Sequence, residues 1–120
     1  MNPKILIVLL IYMGIILWLS LQPIPENAKE LFPFQDKVVH FILYFFLAVI
    51  MYLGLKKSTV KYSYLKLWII PVIFSIVYGG LIEICQIFVP TRSFDYNDII
   101  VNTFGGISGS SLIQFLTKSI

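Results

Sequence analysis

The sequence LWIIPVIFSIVYGGLIEICQIFV, residues 67–89, decides the fold class of this protein. A helix that crosses the roughly 30 Å hydrocarbon core of a bilayer needs about 17–25 residues. This run has that length, and Glu83 is its one charged residue. Further apolar runs lie at about residues 5–21, 38–55 and 99–116. Because backbone groups in lipid must be hydrogen-bonded internally, each run predicts a transmembrane α-helix.

The composition of the whole chain also indicates a membrane protein. Of its 120 residues, 58% are hydrophobic and 12% are charged, whereas soluble domains carry about 25% charged residues. A soluble core of this size is too small to bury so much apolar surface. The net charge is +3, but no nucleic-acid-binding motif accompanies it, so nucleic acid is not an expected partner. We expect one all-α domain over residues 1–120, an integral membrane four-helix bundle that passes several times through the cell membrane, with the lipid bilayer as its partner.

The distribution of lysines predicts how the helices are oriented. Four lysines lie between residues 56 and 66, in the loop that joins the second and third apolar runs. Cytoplasmic loops are rich in Lys and Arg, so we place this loop and both termini in the cytoplasm. Six basic residues are then inside and three are outside. The three outside are Lys29, Lys37 and Arg92.

Under this topology, polar residues from distant segments fall at the extracytoplasmic face. Asp36, His40 and Tyr44 are spaced four apart, so they stack on one side of the second helix. Glu83 and Gln86 are three apart in the outer third of the third helix. An ionisable residue at the centre of a span costs about 2.5–3.5 kcal/mol, so we expect these groups to face one another. The candidate ligand-binding residues are Asp36, His40, Glu83, Gln86, Arg92, Asp95, Asp98 and Asn102.

Some of these residues also have a structural interpretation. Asp95 is placed to cap the N-terminus of the fourth helix. Arg92 is placed to pair with Asp95 or Asp98, or to extend towards lipid headgroups. Glu83 needs a partner inside the bundle, and the candidates are Arg92 and His40.

Small residues predict where helices pack closely. Gly105 and Gly109 form a pattern of small residues four apart, which is typical of close helix contact in membranes, and we interpret Gly79 and Gly80 in the same way. The single cysteine, Cys85, lies within an apolar run, and we expect it to be a small buried hydrophobic residue.

Four short blocks of the sequence, taken in order, resemble the VanZ-like family of membrane proteins. DKVVHFILY, residues 36–44, is similar to the family signature D-K-x-x-H-F-x-x-Y, and EICQ, residues 83–86, to its E-x-x-Q. RSFD, residues 92–95, and DIIVNTFGG, residues 98–106, resemble the R-x-x-D and D-x-x-x-N-x-x-G blocks. The resemblance implies four membrane helices and a role in the cell envelope. The member that gives the family its name is associated with low-level resistance to the glycopeptide teicoplanin.

We favour a non-enzymatic envelope protein that lowers susceptibility to glycopeptide or lipoglycopeptide antibiotics through a polar ligand-binding cluster at the extracytoplasmic face. The candidate ligands are a lipid headgroup, a lipid-linked envelope precursor and a glycopeptide. No cofactor is expected. The sequence is compatible with a homo-oligomer.

The alternative is a membrane-embedded enzyme that acts on a lipid-linked envelope substrate by acid–base or metal-assisted chemistry. His40, Glu83 and Asp98 are then the candidate catalytic residues. Carboxylates beside a histidine admit a divalent metal, but nothing in the spacing demands one, so no metal site is predicted. Transport ranks last, because the inner halves of the helices lack a matching series of ionisable residues.

Overall fold

Four α-helices make up the regular structure of the protein. The computed structural model describes residues 1–23 and 34–118, and within them the helices are α1, Pro3–Ser20; α2, Gln35–Lys56; α3, Tyr64–Gln86; and α4, Tyr96–Thr117. Helices of 18 to 23 residues are about 27–35 Å long at 1.5 Å per residue, which matches a bilayer core. The prediction of an all-α protein with four helices able to cross a membrane is confirmed.

Capping side chains start two of the helices, α3 and α4, ahead of their apolar runs. The Ser63 side chain accepts a hydrogen bond from the Lys66 N–H, so α3 begins before the predicted residue 67. The Asp95 carboxylate accepts from the Asn97 N–H over 2.8 Å, which starts α4 at residue 96 and confirms the predicted N-cap. The α2 helix also begins ahead of its apolar run, at Gln35, so its first turn includes Asp36.

The α3 helix ends three residues earlier than its hydropathy predicts. The N–H groups of Ile87, Phe88 and Val89 donate to carbonyls three residues back, at Ile84, Cys85 and Gln86. These tighter turns end the α-helical pattern before Pro90, which follows directly and disfavours helical geometry in its predecessor.

The helices alternate in direction, so each end of the bundle collects a different set of charges. At one end the Asn2 N–H donates to the Gly54 carbonyl, and Lys56 Nζ donates to the Thr117 carbonyl over 2.6 Å. We call this the lysine end; it carries Lys4, Lys56, Lys57, Lys61, Lys66 and Lys118. At the other end, α1 and α3 finish and α2 and α4 begin. We call it the acidic end, after the described carboxylates Asp36, Glu83, Asp95 and Asp98. Lys29, which entered the orientation argument, lies outside the described residues.

The α2 and α4 helices form the most extensive pair in the bundle, and glycines permit their close approach. A Cβ atom at Gly105 would lie 2.6 Å from the Phe41 carbonyl oxygen, and one at Gly109 would overlap the Phe45 carbonyl. The predicted close packing at these two glycines is confirmed. It is also confirmed at Gly79, where a Cβ would meet the Asn102 side chain.

The outer surface of the bundle is apolar, as expected for helices that contact lipid. Large hydrophobic side chains such as Ile11, Val77 and Phe115 are exposed along its length. Cys85 is also exposed, so the expectation that it is buried is wrong. A Cβ at Gly80 would contact nothing within 4 Å, so the predicted packing role for this glycine is wrong as well.

Candidate functional site

Lys37 lies at the centre of the acidic end. Its Nζ donates to Asp95 Oδ2 over 2.7 Å and to Asp98 Oδ1, and it lies 3.7 Å from Asp36 Oδ2. Asp36 and Asp98 occupy the first turns of α2 and α4, where the partial positive charge of a helix N-terminus stabilises a carboxylate. The N-terminal turns of α2 and α4 and the Lys37 ammonium group therefore stabilise three carboxylates close to one another.

His40 connects this group of charges to the interior of the bundle. Its Nδ1 lies 3.1 Å from Asn102 Oδ1, and its Nε2 lies 3.7 Å from both Asp36 Oδ1 and Asp98 Oδ2. His40 is 7% exposed and Asn102 1% exposed. The predicted stacking of Asp36 and His40 on one side of α2 is confirmed, and Asn102 fixes the orientation of the imidazole ring.

Glu83 approaches the same cluster from α3 and is fully buried. Its Oε2 accepts a hydrogen bond from the Asp95 N–H over 3.1 Å, and its carboxyl group lies against that of Asp98. Its Oε1 has no hydrogen-bond partner. The partners expected for Glu83 were Arg92 and His40. That expectation is wrong, because the turn before α4 brings a backbone donor to the carboxylate.

Gln86 and Arg92 hold the end of α1. Gln86 Nε2 donates to the Ser20 carbonyl over 2.9 Å. Arg92 donates through Nε to the Gln22 carbonyl over 2.9 Å and through Nη2 to the Leu19 carbonyl over 3.3 Å. The expected pairing of Arg92 with Asp95 or Asp98 is therefore not found. The carbonyls at a helix C-terminus lack partners within the helix and attract a cation, which explains this choice.

Asp95 lies directly before the first residue of α4, outside the helices. The Lys37 ammonium group and the Asn97 N–H both donate to it, so its pKa is lowered below its ordinary value. The Asp95 side chain is 39% exposed, which weakens these interactions by solvent screening. Asp95 therefore stays ionised across the neutral range and keeps its contact with Lys37.

An open cleft of about 120 Å³ connects the cluster to the surroundings of the acidic end. Asp36, Asp95 and Asp98 line one part of it, and Gln86 and Arg92 line another. The residues predicted from sequence thus fall into two groups, and members of both line the cleft. The network around Lys37 contains Asp36, His40, Glu83, Asp95, Asp98 and Asn102, and the group that contacts α1 contains Gln86 and Arg92.

Sequence reasoning missed the part played by Lys37. The residue stands within the D-K-x-x-H block, but it was counted there as a topology charge rather than as a member of the site. One sequence feature pointed to a role for Lys37 in the site. It lies one residue after Asp36 and three before His40, on the first turns of a helix. A lysine in that position reaches across to a neighbouring helix start, which local spacing does not show.

Comparison with known proteins identifies one family. The profile of the family described as VanZ/LLP1 matches residues 5–117, which is nearly the whole chain. This match confirms the resemblance that the four sequence blocks indicated. No curated protein and no solved structure matches the chain.

Proposed function

Because the chain belongs to the VanZ/LLP1 family, we propose that it is a multi-pass envelope protein whose acidic end faces the extracytoplasmic side and binds a polar ligand there. The ligand classes are a lipid headgroup, a lipid-linked envelope precursor and a glycopeptide. Ligand binding lowers susceptibility to glycopeptide or lipoglycopeptide antibiotics. The orientation rests on the six lysines at the opposite end, since basic residues favour the cytoplasmic face.

One observation supports this proposal above the others. Ionisable side chains from α2, from α4 and from the turn between α3 and α4 line a cleft at one end of the bundle, and the buried Glu83 of α3 accepts a hydrogen bond from the Asp95 N–H beside it. Burying Glu83 and Asp98 beside each other is costly, and a fold that needed stability alone could place apolar side chains there. The cleft also offers charges of both signs, from the carboxylates and from Arg92, which suits a zwitterionic or polar headgroup.

The test is antibiotic susceptibility in a strain that lacks the gene and is complemented with wild type, Glu83→Gln or Arg92→Ala. The Glu83→Gln variant keeps an oxygen acceptor for the Asp95 N–H, so its fold is expected to survive. Cys85→Ser is the matched control on α3, because this exposed side chain lies two residues away and outside the cleft. Membrane abundance is measured by immunoblot for every variant.

We expect wild type and Cys85→Ser to restore tolerance to teicoplanin, and abundant Glu83→Gln and Arg92→Ala to fail. Full complementation by both cluster variants would show that the cluster is structural. If wild type leaves susceptibility unchanged, the antibiotic part of the proposal is wrong.

The buried, unpartnered Glu83 Oε1 favours a second candidate function, an enzyme that acts on a lipid-linked envelope substrate. Asp98 lines the cleft and lies beside both Glu83 and His40, so it would pass a proton between these buried groups and a substrate in the cleft. The test is to incubate the purified protein with vesicles of envelope lipids and follow lipid products by mass spectrometry. A product that forms with wild type and not with His40→Gln or Glu83→Gln would support catalysis, and its absence with wild type would count against it.

A further inference from the structure

The hydrogen bond between His40 and Asn102 determines what the other imidazole nitrogen can do. When Nδ1 donates to Asn102 Oδ1 over 3.1 Å, a neutral imidazole presents a lone pair at Nε2. That lone pair faces Asp36 Oδ1 and Asp98 Oδ2, each 3.7 Å away. Three electron-rich atoms that face one another repel, and either a proton on Nε2 or a metal cation held between the three atoms relieves that repulsion.

The distances among these three atoms suit a metal ion. Ligand atoms at about 2.0–2.2 Å from one tetrahedral zinc ion are about 3.3–3.6 Å apart. The two distances from His40 Nε2 are only slightly longer than this range, and all three atoms lie within 4.8 Å of one another. The two carboxylate oxygens are at most 4.8 Å apart, and the Asp36 side chain, which is 49% exposed, would move towards Asp98 for both to bind one ion.

The groups around these atoms form the supporting contacts that metal ligands normally have. Lys37 contacts the opposite oxygens of the same two carboxylates, Oδ2 of Asp36 and Oδ1 of Asp98. Asn102 orients the imidazole ring through its contact with Nδ1, the nitrogen on the opposite side from Nε2. Metal-bound His and carboxylate side chains usually carry such second contacts, which fix their orientation and basicity.

The charge of the cluster supports the same conclusion. Three carboxylates, Asp36, Asp95 and Asp98, surround the single ammonium group of Lys37, so two formal negative charges are left in excess. A divalent cation would bring the sum to zero. In addition, the fully buried Glu83 carboxyl group lies against that of Asp98, and no donor among the described residues reaches its Oε1. A buried acceptor without a donor costs free energy, and a nearby cation reduces that cost.

From these observations we propose that Asp36 Oδ1, His40 Nε2 and Asp98 Oδ2 bind a divalent metal ion that accepts mixed nitrogen and oxygen ligands, of the zinc or manganese type. The ion enters through the cleft at the acidic end, which Asp36 and Asp98 line. Sequence spacing predicted no metal, because the ligands come from two helices and no short motif contains all three. The inference deepens the proposed function and rests on the same cleft.

The experiment measures metal binding by the full-length protein in detergent micelles, after removal of the purification tag and of adventitious metal with a chelator. Mn²⁺ alone is titrated and followed by electron paramagnetic resonance, with pulsed spectra to detect coupling to a ligand nitrogen. Zn²⁺ alone is titrated by calorimetry. The variants are His40→Gln, Asp98→Asn and Asn102→Leu, and Cys85→Ser is the control for binding to the exposed thiol.

We expect one ion per chain, with coupling to one imidazole nitrogen in wild type and in Cys85→Ser. His40→Gln should abolish the coupling, and Asp98→Asn should weaken binding at least tenfold. Asn102→Leu should weaken binding about 10–100-fold, because it removes the contact that orients the metal-binding imidazole. Circular dichroism checks the fold of each variant. Mn²⁺ bound without nitrogen coupling in wild type overturns the proposal whatever the variants do, as does Zn²⁺ binding that is lost with Cys85→Ser.

The outcome is separable from that of the proposed function. If the protein binds no metal but Glu83→Gln and Arg92→Ala still fail to complement, the ligand-binding role stands and the metal site is wrong. If metal binds as expected while those variants complement fully, the metal has a structural role and the ligand-binding proposal is wrong.

Discussion

Lys37 Nζ in the first turn of α2 lies 2.7 Å from Asp95 Oδ2, 58 residues further along the chain, at the N-cap of α4. The same ammonium group contacts Asp98 one turn into α4. These contacts connect the N-terminal turns of α2 and α4, which form the most extensive helix pair in the bundle. It gives the acidic end a defined geometry, on which the cleft and the candidate ligands depend.

Replacing Lys37 by methionine should destabilise the fold, because Asp95 and Asp98 lose the ammonium group that donates to both of them. A hydrogen bond to a charged group contributes about 1.5–3 kcal/mol, and the partial exposure of Lys37, 26%, places the expected loss towards the lower end of that range. The measurement is thermal unfolding in detergent micelles. Lys57→Met is the control, since that lysine is exposed at the lysine end.

A double substitution sharpens this prediction. Adding Asp98→Asn to Lys37→Met should cost less than the sum of the two single substitutions, because the groups interact directly. Additive losses would mean that the contact contributes nothing to stability.

Placing leucine at Gly105 or Gly109 should force α2 and α4 apart. The new side chain meets the backbone of Phe41 or Phe45, which cannot move aside as a side chain can. Overpacking typically costs about 1–3 kcal/mol, and we expect the upper part of that range. Gly14→Leu is the matched control, since a Cβ there contacts nothing within 4 Å. Thermal unfolding that is equally affected at all three glycines would contradict the packing argument.

The contribution of Asp95 to stability should depend on pH. Its lowered pKa means that the ionised form is favoured in the folded protein, so the stabilisation is present above the ordinary aspartate pKa of about 3.9. It is lost as the pH falls through the lower folded value. Asp95→Asn keeps an N-cap but removes the charge. Its melting temperature should lie below that of wild type at pH 7, and the difference should shrink below about pH 4.

Melting temperatures measured from pH 7 to pH 3 on the same two proteins check this. A difference between the proteins that stays constant with pH would show that the charge of Asp95 does not act through Lys37.

Replacing Arg92 by leucine should loosen the last turn of α1 rather than the whole bundle. Arg92 donates to the carbonyls of Leu19 and Gln22, and Gln86→Leu should act similarly by removing the donor to Ser20. Amide hydrogen exchange should become faster in the last turn of α1 in either variant, while α4 exchange stays the same. Unchanged exchange at α1 would mean that these hydrogen bonds do not hold its end in place.

The local features of the fold could be predicted from the sequence. The length and apolar character of each helix can be read from consecutive residues. The same is true of the small-residue pattern at Gly105 and Gly109 and of the N-cap at Asp95. The structure agrees at each of these positions. The boundaries shifted by up to three residues, because capping side chains and tight turns lie outside the apolar runs.

The chain by itself thus determined four membrane helices, the family, and the set of polar residues that meet at one end. Only the tertiary structure decided which of those residues interact. It directed Arg92 to the end of α1, gave Glu83 a backbone donor at Asp95, and placed Lys37 among three carboxylates. The physical reason is that a charged group is stabilised by whatever lies within a few ångströms of it. That distance is set by the register of one helix against another, which the spacing of residues along a single helix does not specify.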